Sequence, residues 1–342
     1  MNKGERRRNR RRYRVRYDRI VIMVLVAAVV IVLVSSCVIA LTKKNDKPAV
    51  KNRSRSSQTT DTTLPSEAEE KPSDSTGEAP TEAQKPQEEA FVTESHEHDD
   101  IYKGNLVLVN ADYEYKFIDG DVDPITLFDN RNDYYDNGDY VTKLDREVLT
   151  RLNAMMEAYA TASSKTSTDI FVLDGYRTYD EQLERHSSGK SRTFEAGHSD
   201  YHTGRTFDMF RMSEGGEISY FAAEGDCAWF ADNAAKFGFV VRYPDGKDDI
   251  TGEKSRGYTY RYVGTPHAEY MNSKGICLEE YIAEVKKHTK DEPLEITTAG
   301  GTVQVYYVSA SAEGATDVPV PNGKAYTVSG NNIDGFIVTV TG

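Results

Sequence analysis

Residues 196–209 read AGHSDYHTGRTFDM, and the rest of the chain is best understood outward from this stretch. Gly197 and Gly204 punctuate it, His198 and His202 stand four apart, and Asp208 lies close behind. If residues 202–208 run as regular strand, the even spacing sets His202 and Asp208 on one face. Upstream, Thr168–Leu173 (TDIFVL) is a β-rich run ending in DGYRTYDEQ, residues 174–182. A helix is expected from Asp180, where an acid suits the positive end of the dipole. Further upstream, Leu144–Ala160 places Val148, Leu149, Leu152, Met155, Met156 and Tyr159 at spacings of three and four, which predicts an amphipathic helix. Leu106–Asn110 reads as a short strand, and the turn formers of Asp129–Tyr140 read as a surface loop.

Downstream, Asp226–Phe237 is expected to be a helix that carries the only Trp and stops at Gly238. Phe239–Tyr243 and Tyr258–Val263 read as strands, and Ile276–Lys287 as a helix with Leu278, Ile282 and Val285 inward. Isolated strands and helices alternate without a βαβ rhythm, which points to the α+β class. From Leu294 the pattern is all-β, with strands at Val303–Val308 and Phe336–Val340 and turn-rich stretches between them. This tail of about 50 residues is expected to pack on the main domain, because two strands alone are marginal.

The first hundred residues have a different character. The formal net charge of −13 over 342 residues is a sum of unlike parts. Residues 1–19 carry +8, residues 20–42 no charge, residues 43–55 +5, and the remainder −26. So acidic a body repels phosphate, so nucleic acid is not an expected partner. Three Cys exclude a disulfide scaffold. Ile20–Leu41 is a run of 22 uncharged, mostly apolar residues, long enough to span a bilayer as a helix. The basic flank before it keeps residues 1–19 in the cytosol and exports the rest across the cell membrane. Cleavage as a signal peptide, or lipoprotein processing at Cys37, are the rival readings of the same run. Residues 43–90 hold five of the eleven Pro and no aromatic, so residues 42–100 are expected to be a disordered tether reaching roughly 40 Å. Order is expected from Ile101. The pair His96 and His98 in ESHEHDD suits a divalent metal, although a solvated linker is the favoured reading. Cys227 and Cys277 would suit either an exported disulfide or two separate thiols.

Five blocks, in order and with natural gaps, carry a resemblance over residues 101–290. They are DGYRTYDEQ (174–182), AGHSDYHTGRTFDM (196–209), WFADNAAKFGFVVRYPDGKDDITG (229–252), RYVGTPHAEYM (261–271) and CLEEYI (277–282). The chain resembles the zinc D-alanyl-D-alanine carboxypeptidase/dipeptidase family of bacterial cell walls, which includes the vancomycin-resistance carboxypeptidases. Residues 291–342 resemble a β extension found on some members. The resemblance implies a zinc ion held by His, Asp and His, with a Glu base that activates the metal-bound water. In this sequence the family's H-x-x-G-x-[AS]-x-D places Tyr201 at the first metal His and retains Asp208. The family's E-P-W-H, anchored on Arg261-Tyr262-Val263-Gly264, places Arg256 at the base, Gly257 at the Pro, Tyr258 at the Trp and Thr259 at the second metal His. A guanidinium stays protonated, so Arg256 does not act as a base. His202 is a candidate substitute ligand, with His198 and His267 as further members of a rebuilt site. Without metal, Asp208 is expected to pair with Arg205 or Arg256. Arg177, Gln182, Ser199 and Tyr258 keep substrate-facing positions, and the guanidinium of Arg177 suits a carboxylate. The implied partner is a peptidoglycan stem peptide or another D-Ala-terminated peptide. Three functions follow as expectations. The first is a pseudoenzyme that binds wall peptide without hydrolysis. The second is an active D,D-carboxypeptidase with an altered site, and the third a structural or regulatory ectodomain.

Overall fold

In the computed structural model, residues 90–341 are described, except 166–167, 191–193 and 214. The expected spanning helix Ile20–Leu41, its basic flank, Cys37 and the tether as far as residue 89 lie outside the described residues. Among the described residues no helix is long and apolar enough to cross a membrane.

The chain enters as strand β1 (Phe91–His96), followed by β2 (Pro124–Thr126), β3 (Asp136–Asn137), β4 (Lys143–Asp145), helix α1 (Arg146–Ala162), β5 (Ile170–Leu173) and helix α2 (Tyr179–Ser187). Next come β6 (Thr206–Met212), β7 (Ile218–Tyr220), β8 (Phe239–Tyr243), β9 (Arg256–Tyr262), α3 (Thr265–Lys274) and α4 (Leu278–Val285). Five strands complete it: β10 (Leu294–Thr298), β11 (Gly301–Ser309), β12 (Thr316–Pro321), β13 (Ala325–Gly330) and β14 (Gly335–Thr341). Helices beside a mainly antiparallel sheet agree with the expected mixed class.

The central sheet has the order β3-β5-β6-β9-β8, with β7 added on β6, and only its β3–β5 pair is parallel. Helix α1 covers one face. Its predicted inward residues, Val148 to Tyr159, are all buried, and they pack on Ile170, Val172, Phe207, Met209 and Tyr260. The helix starts two residues later than the periodicity suggests, because Leu144 pairs with Ile125 in a small β2–β4 ladder. Asp145 then caps it, accepting from the Glu147 amide at 2.9 Å. Side chains alternate along β6. Phe207 and Met209 enter the α1 core, and this sends Asp208 to the opposite face.

Three expectations are corrected. Leu106–Val109 is buried but is not a strand. Its backbone is satisfied individually instead of by a ladder: Arg261 donates to the Val107 carbonyl, Asn332 to that of Leu108, and Arg242 to that of Val109. The helix expected over 226–237 is three short pieces. Asn233 turns its amide back on the Trp229 carbonyl at 2.8 Å, a local bond that competes with a continuous helix. Residues 91–100 are ordered and do not belong to the tether. β1 pairs with β12 from Phe91↔Pro321 to His96↔Thr316, with Phe91 against Tyr306 and His96 against Phe336. The tail is correspondingly larger than two strands. Its four-stranded sheet β10-β11-β14-β13 buries Tyr306, Phe336 and Val338 with Val318 and Val320 of β12. Its other side joins α3 and α4 through Met271, Leu278, Ile282, Ile296, Val305 and Ile337.

Candidate functional site

The face of the sheet opposite α1 brings together the three positions that the family motifs single out. Asp208 on β6 stands directly across from Thr259 on β9. Tyr201 arrives from a short 3-10 turn, Asp200–Thr203, which ends at Gly204 with φ 66°. A Cβ at Gly204 would lie 2.7 Å from Val122, so both the backbone conformation and the space require glycine. Buried charge holds this turn from below. Asp200 accepts from Arg261 at 2.6 Å and lies 3.4 Å from Arg242, which also pairs with Glu279.

The three side chains form a closed hydrogen-bonded cluster. The Tyr201 hydroxyl donates to Asp208 Oδ1 at 2.6 Å, and the Thr259 hydroxyl donates to the same oxygen at 2.7 Å. Tyr201, Asp208 and Thr259 are 2%, 7% and 0% exposed. Burial pushes the Asp208 carboxyl up to about 6, while the two hydroxyl donors oppose a larger rise. The expected partners of Asp208 are therefore wrong on both counts. Arg205 is committed to Asp121, at 3.0 and 3.1 Å, and Arg256 pairs with Glu253 at 2.8 Å.

Two guanidiniums flank the cluster. Arg177 lies 4.1 Å from the centre of the Tyr201 ring, donates to Gln182 Oε1 at 2.9 Å and pairs with Asp174 at 3.0 Å. Gln182 passes the contact on, donating to the Phe194 carbonyl at 2.7 Å. Asp174 ends β5 in the left-handed region, with φ 63°, and also holds Arg185 at 2.9 Å. Arg256 stacks 4.7 Å from the Phe194 ring and 5.5 Å from Tyr243. Phe194, Tyr201 and Tyr243 form a buried aromatic group of their own. Ser199 is fully buried, and its hydroxyl finds no hydrogen-bond partner among the described residues. Tyr258 is half-buried and stacks on Tyr220 with ring centres 4.2 Å apart.

The candidate substitute ligands are engaged elsewhere. His202 donates from Nδ1 to the Arg177 carbonyl at 2.6 Å and accepts at Nε2 from the Gly197 amide at 3.0 Å. Both ring nitrogens are occupied, and burial lowers its pKa to about 4. His202 therefore fixes the backbone beneath Arg177 and is not a metal ligand. His198 bonds the Asn110 carbonyl at 2.9 Å, and His267 sits between Tyr281 (2.6 Å) and Thr339 (3.2 Å). His96 pairs with Glu94 at 3.1 Å, and His98 lies against Tyr102. Among the described residues no three His, Cys, Asp or Glu side chains converge as a metal group. Cys227 and Cys277 are separate buried thiols, not a disulfide. Cys227 lies 3.6 Å from the Tyr159 hydroxyl, whereas Cys277 caps α4.

A Zn²⁺ site needs imidazole, thiolate or carboxylate ligands with lone pairs to give. Here one carboxylate is joined by a phenol and an alcohol, and both hydroxyls spend their hydrogens on that carboxylate. A guanidinium stands at the base position. This donor set does not fit zinc, and the guanidinium at the family's base position does not accept a proton.

The chain matches the family profile described as VanY: D-alanyl-D-alanine carboxypeptidase over residues 141–265, the segment that contains all of these positions. In this segment it has the domain of the vancomycin-resistance-type D-alanyl-D-alanine carboxypeptidase family. It is similar to the D-alanyl-D-alanine carboxypeptidase of Enterococcus faecium, 28% identical over 257 residues, which cover 74% of this chain and 79% of that one. It is also 32% identical to the putative carboxypeptidase YodJ of Bacillus subtilis (strain 168), over 42% of this chain and 54% of that one. Among solved structures, it resembles the vancomycin-resistance D,D-dipeptidase VanXYg in complex with a D-Ala-D-Ala phosphinate analog. The TM-score is 0.62, with 28% identity, 73% of this chain and 98% of that one covered. The structure brings Tyr201, Asp208 and Thr259 together and sets Arg256 against Phe194 and Tyr243. The aromatic wall of Phe194 and Tyr243 escaped sequence reading, as did Glu253. Phe194 is a lone aromatic in a loop, and Tyr243 reads as ordinary strand core.

Proposed function

We propose that this family member is an exported, single-pass membrane protein that binds D-Ala-terminated peptidoglycan stem peptides without hydrolysing them. The observation that carries the reading is the pair of hydroxyls, Tyr201 and Thr259, closed on Asp208 where the family places its metal ligands. Arg177 supplies the positive charge for a C-terminal carboxylate, with Gln182 and Asp174 fixing its orientation. Tyr258, half-exposed beside Tyr220, offers apolar area to the peptide. The tether and the span Ile20–Leu41 would hold the domain outside the membrane, within reach of the wall.

The test is calorimetric titration of the full chain in detergent with a peptide ending in D-Ala-D-Ala, with free D-Ala measured in the same samples. Binding without D-Ala release is expected, and Arg177→Ala, checked for folding by circular dichroism, should weaken binding at least tenfold. Release of D-Ala would overturn the non-hydrolytic reading. Absence of binding would leave a structural ectodomain.

A further inference from the structure

The face of the central sheet opposite Asp208 has an opening of its own. Tyr260 of β9 pairs with Phe207 of β6, and both belong to the core under α1, away from the Asp208–Thr259 cluster. Beside Tyr260 lies a cavity of ≈ 350 Å³, the size of a small-ligand pocket. Phe230, Ala234, Phe239 and Met271 form its buried floor together with Tyr260. Ala223, Ala231 and Ala235 add small side chains that leave the space open. The rim is polar, with Asp245, Asn272 and Gly275 exposed and Lys247 half-buried. Both rim charges are already answered. Lys247 donates to Glu280 at 2.9 Å, and the Ser255 hydroxyl donates to Asp245.

The one polar side-chain atom of the floor is the Tyr260 hydroxyl. Tyr260 is 2% exposed, and its hydroxyl makes no hydrogen bond among the described residues. A buried Tyr hydroxyl usually finds a partner, and leaving it without one is costly. Burial pushes its pKa up, so the phenol stays protonated and can donate. A charged ligand group would lose its hydration against this floor.

We infer that this cavity binds a small neutral amphiphile, its apolar body on Phe230, Phe239 and Met271 and a carbonyl oxygen accepting from the Tyr260 hydroxyl. The site is separate from the stem-peptide reading and does not depend on it.

The test is fluorine NMR of the full chain in detergent, with the detergent alone subtracted, titrated with para-fluoroacetophenone. Para-fluorocumene has nearly the same shape without the carbonyl, and para-fluorobenzoate carries a charge. The ketone should bind about tenfold more tightly than either. Tyr260→Phe should remove its advantage over the hydrocarbon and leave the hydrocarbon's affinity unchanged. That variant should also keep its Tm, because the hydroxyl it deletes has no described partner. Ala231→Trp, at an exposed position of the wall, should abolish binding of both probes in a folded chain. Equal affinity of ketone and hydrocarbon in the wild type overturns the inference. So does a ketone signal that survives Ala231→Trp, since the probe would then sit elsewhere. Benzoate binding as tight as the ketone's, a drop in Tm on Tyr260→Phe, or silence from all three probes overturns it as well.

Discussion

The Asp208 carboxylate sets a measurable load on stability. It is 7% exposed, and burial raises its pKa from 3.8 to about 6, with the Tyr201 and Thr259 hydroxyls limiting the rise. A carboxyl raised in the folded state gives up its proton more readily when unfolded. Its stabilising contribution is therefore complete below the unfolded pKa and is lost as pH rises through the folded one. At ~1.4 kcal/mol per pKa unit, the loss is about 3 kcal/mol at neutral pH. Asp208→Asn removes the charge and keeps an oxygen to accept from both hydroxyls. Relative to wild type, the variant should gain about 2–3 kcal/mol more at pH 8 than at pH 4. For a folded body of this size, that corresponds to roughly 5–10 °C in Tm. Thermal unfolding of both proteins at the two pH values, followed by circular dichroism, reads the difference directly. Parallel stability profiles for the two proteins would refute the reasoning, since they would mean that the Asp208 carboxyl has the same pKa folded and unfolded.

Other consequences can be measured with equal economy. Tyr201→Phe deletes one of the two donors on Asp208, and should cost about 1–3 kcal/mol in urea unfolding at pH 7. Burial lowers the pKa of His267, between Tyr281 and Thr339, from 6.5 to about 4. A lowered histidine contributes stability above pH 6.5 that fades as pH falls toward 4, so His267→Gln should flatten the acid limb by about 3 kcal/mol. Peptide mapping without reductant should find no link between Cys227 and Cys277, and a linked peptide would contradict the two separate thiols.

Much of the domain was legible because its elements obey strong local rules. The inward face of α1 follows from spacing alone, and the strands of the central sheet from β-branched and aromatic runs. What escaped was structure held by tertiary contacts. Leu106–Val109 looks like a strand because it is apolar, but buried arginines and Asn332 take its backbone bonds. β1 follows a long polar stretch of sequence, in which Phe91 is the first aromatic after Tyr17. The candidate site was legible in its positions but not in its bonding. Motif spacing placed Tyr201, Asp208 and Thr259 at one centre. It did not show that the two hydroxyls would close on the carboxylate, nor that His202 would be consumed by backbone partners. The pairing of Arg205 with Asp121 likewise bridges 84 residues, beyond the reach of any local pattern.

Metal content tests the central claim most directly. Purified full chain incubated with excess Zn²⁺ and desalted should carry far less than one zinc per molecule. The variant Tyr201→His, Arg256→Glu, Thr259→His, treated alongside, should carry close to one, because it restores two imidazoles beside Asp208 and removes the guanidinium. Stoichiometric zinc in the unmodified protein would contradict the closed hydroxyl–carboxylate cluster. A triple variant that takes up none would show that these three positions do not form the family's metal centre in this fold.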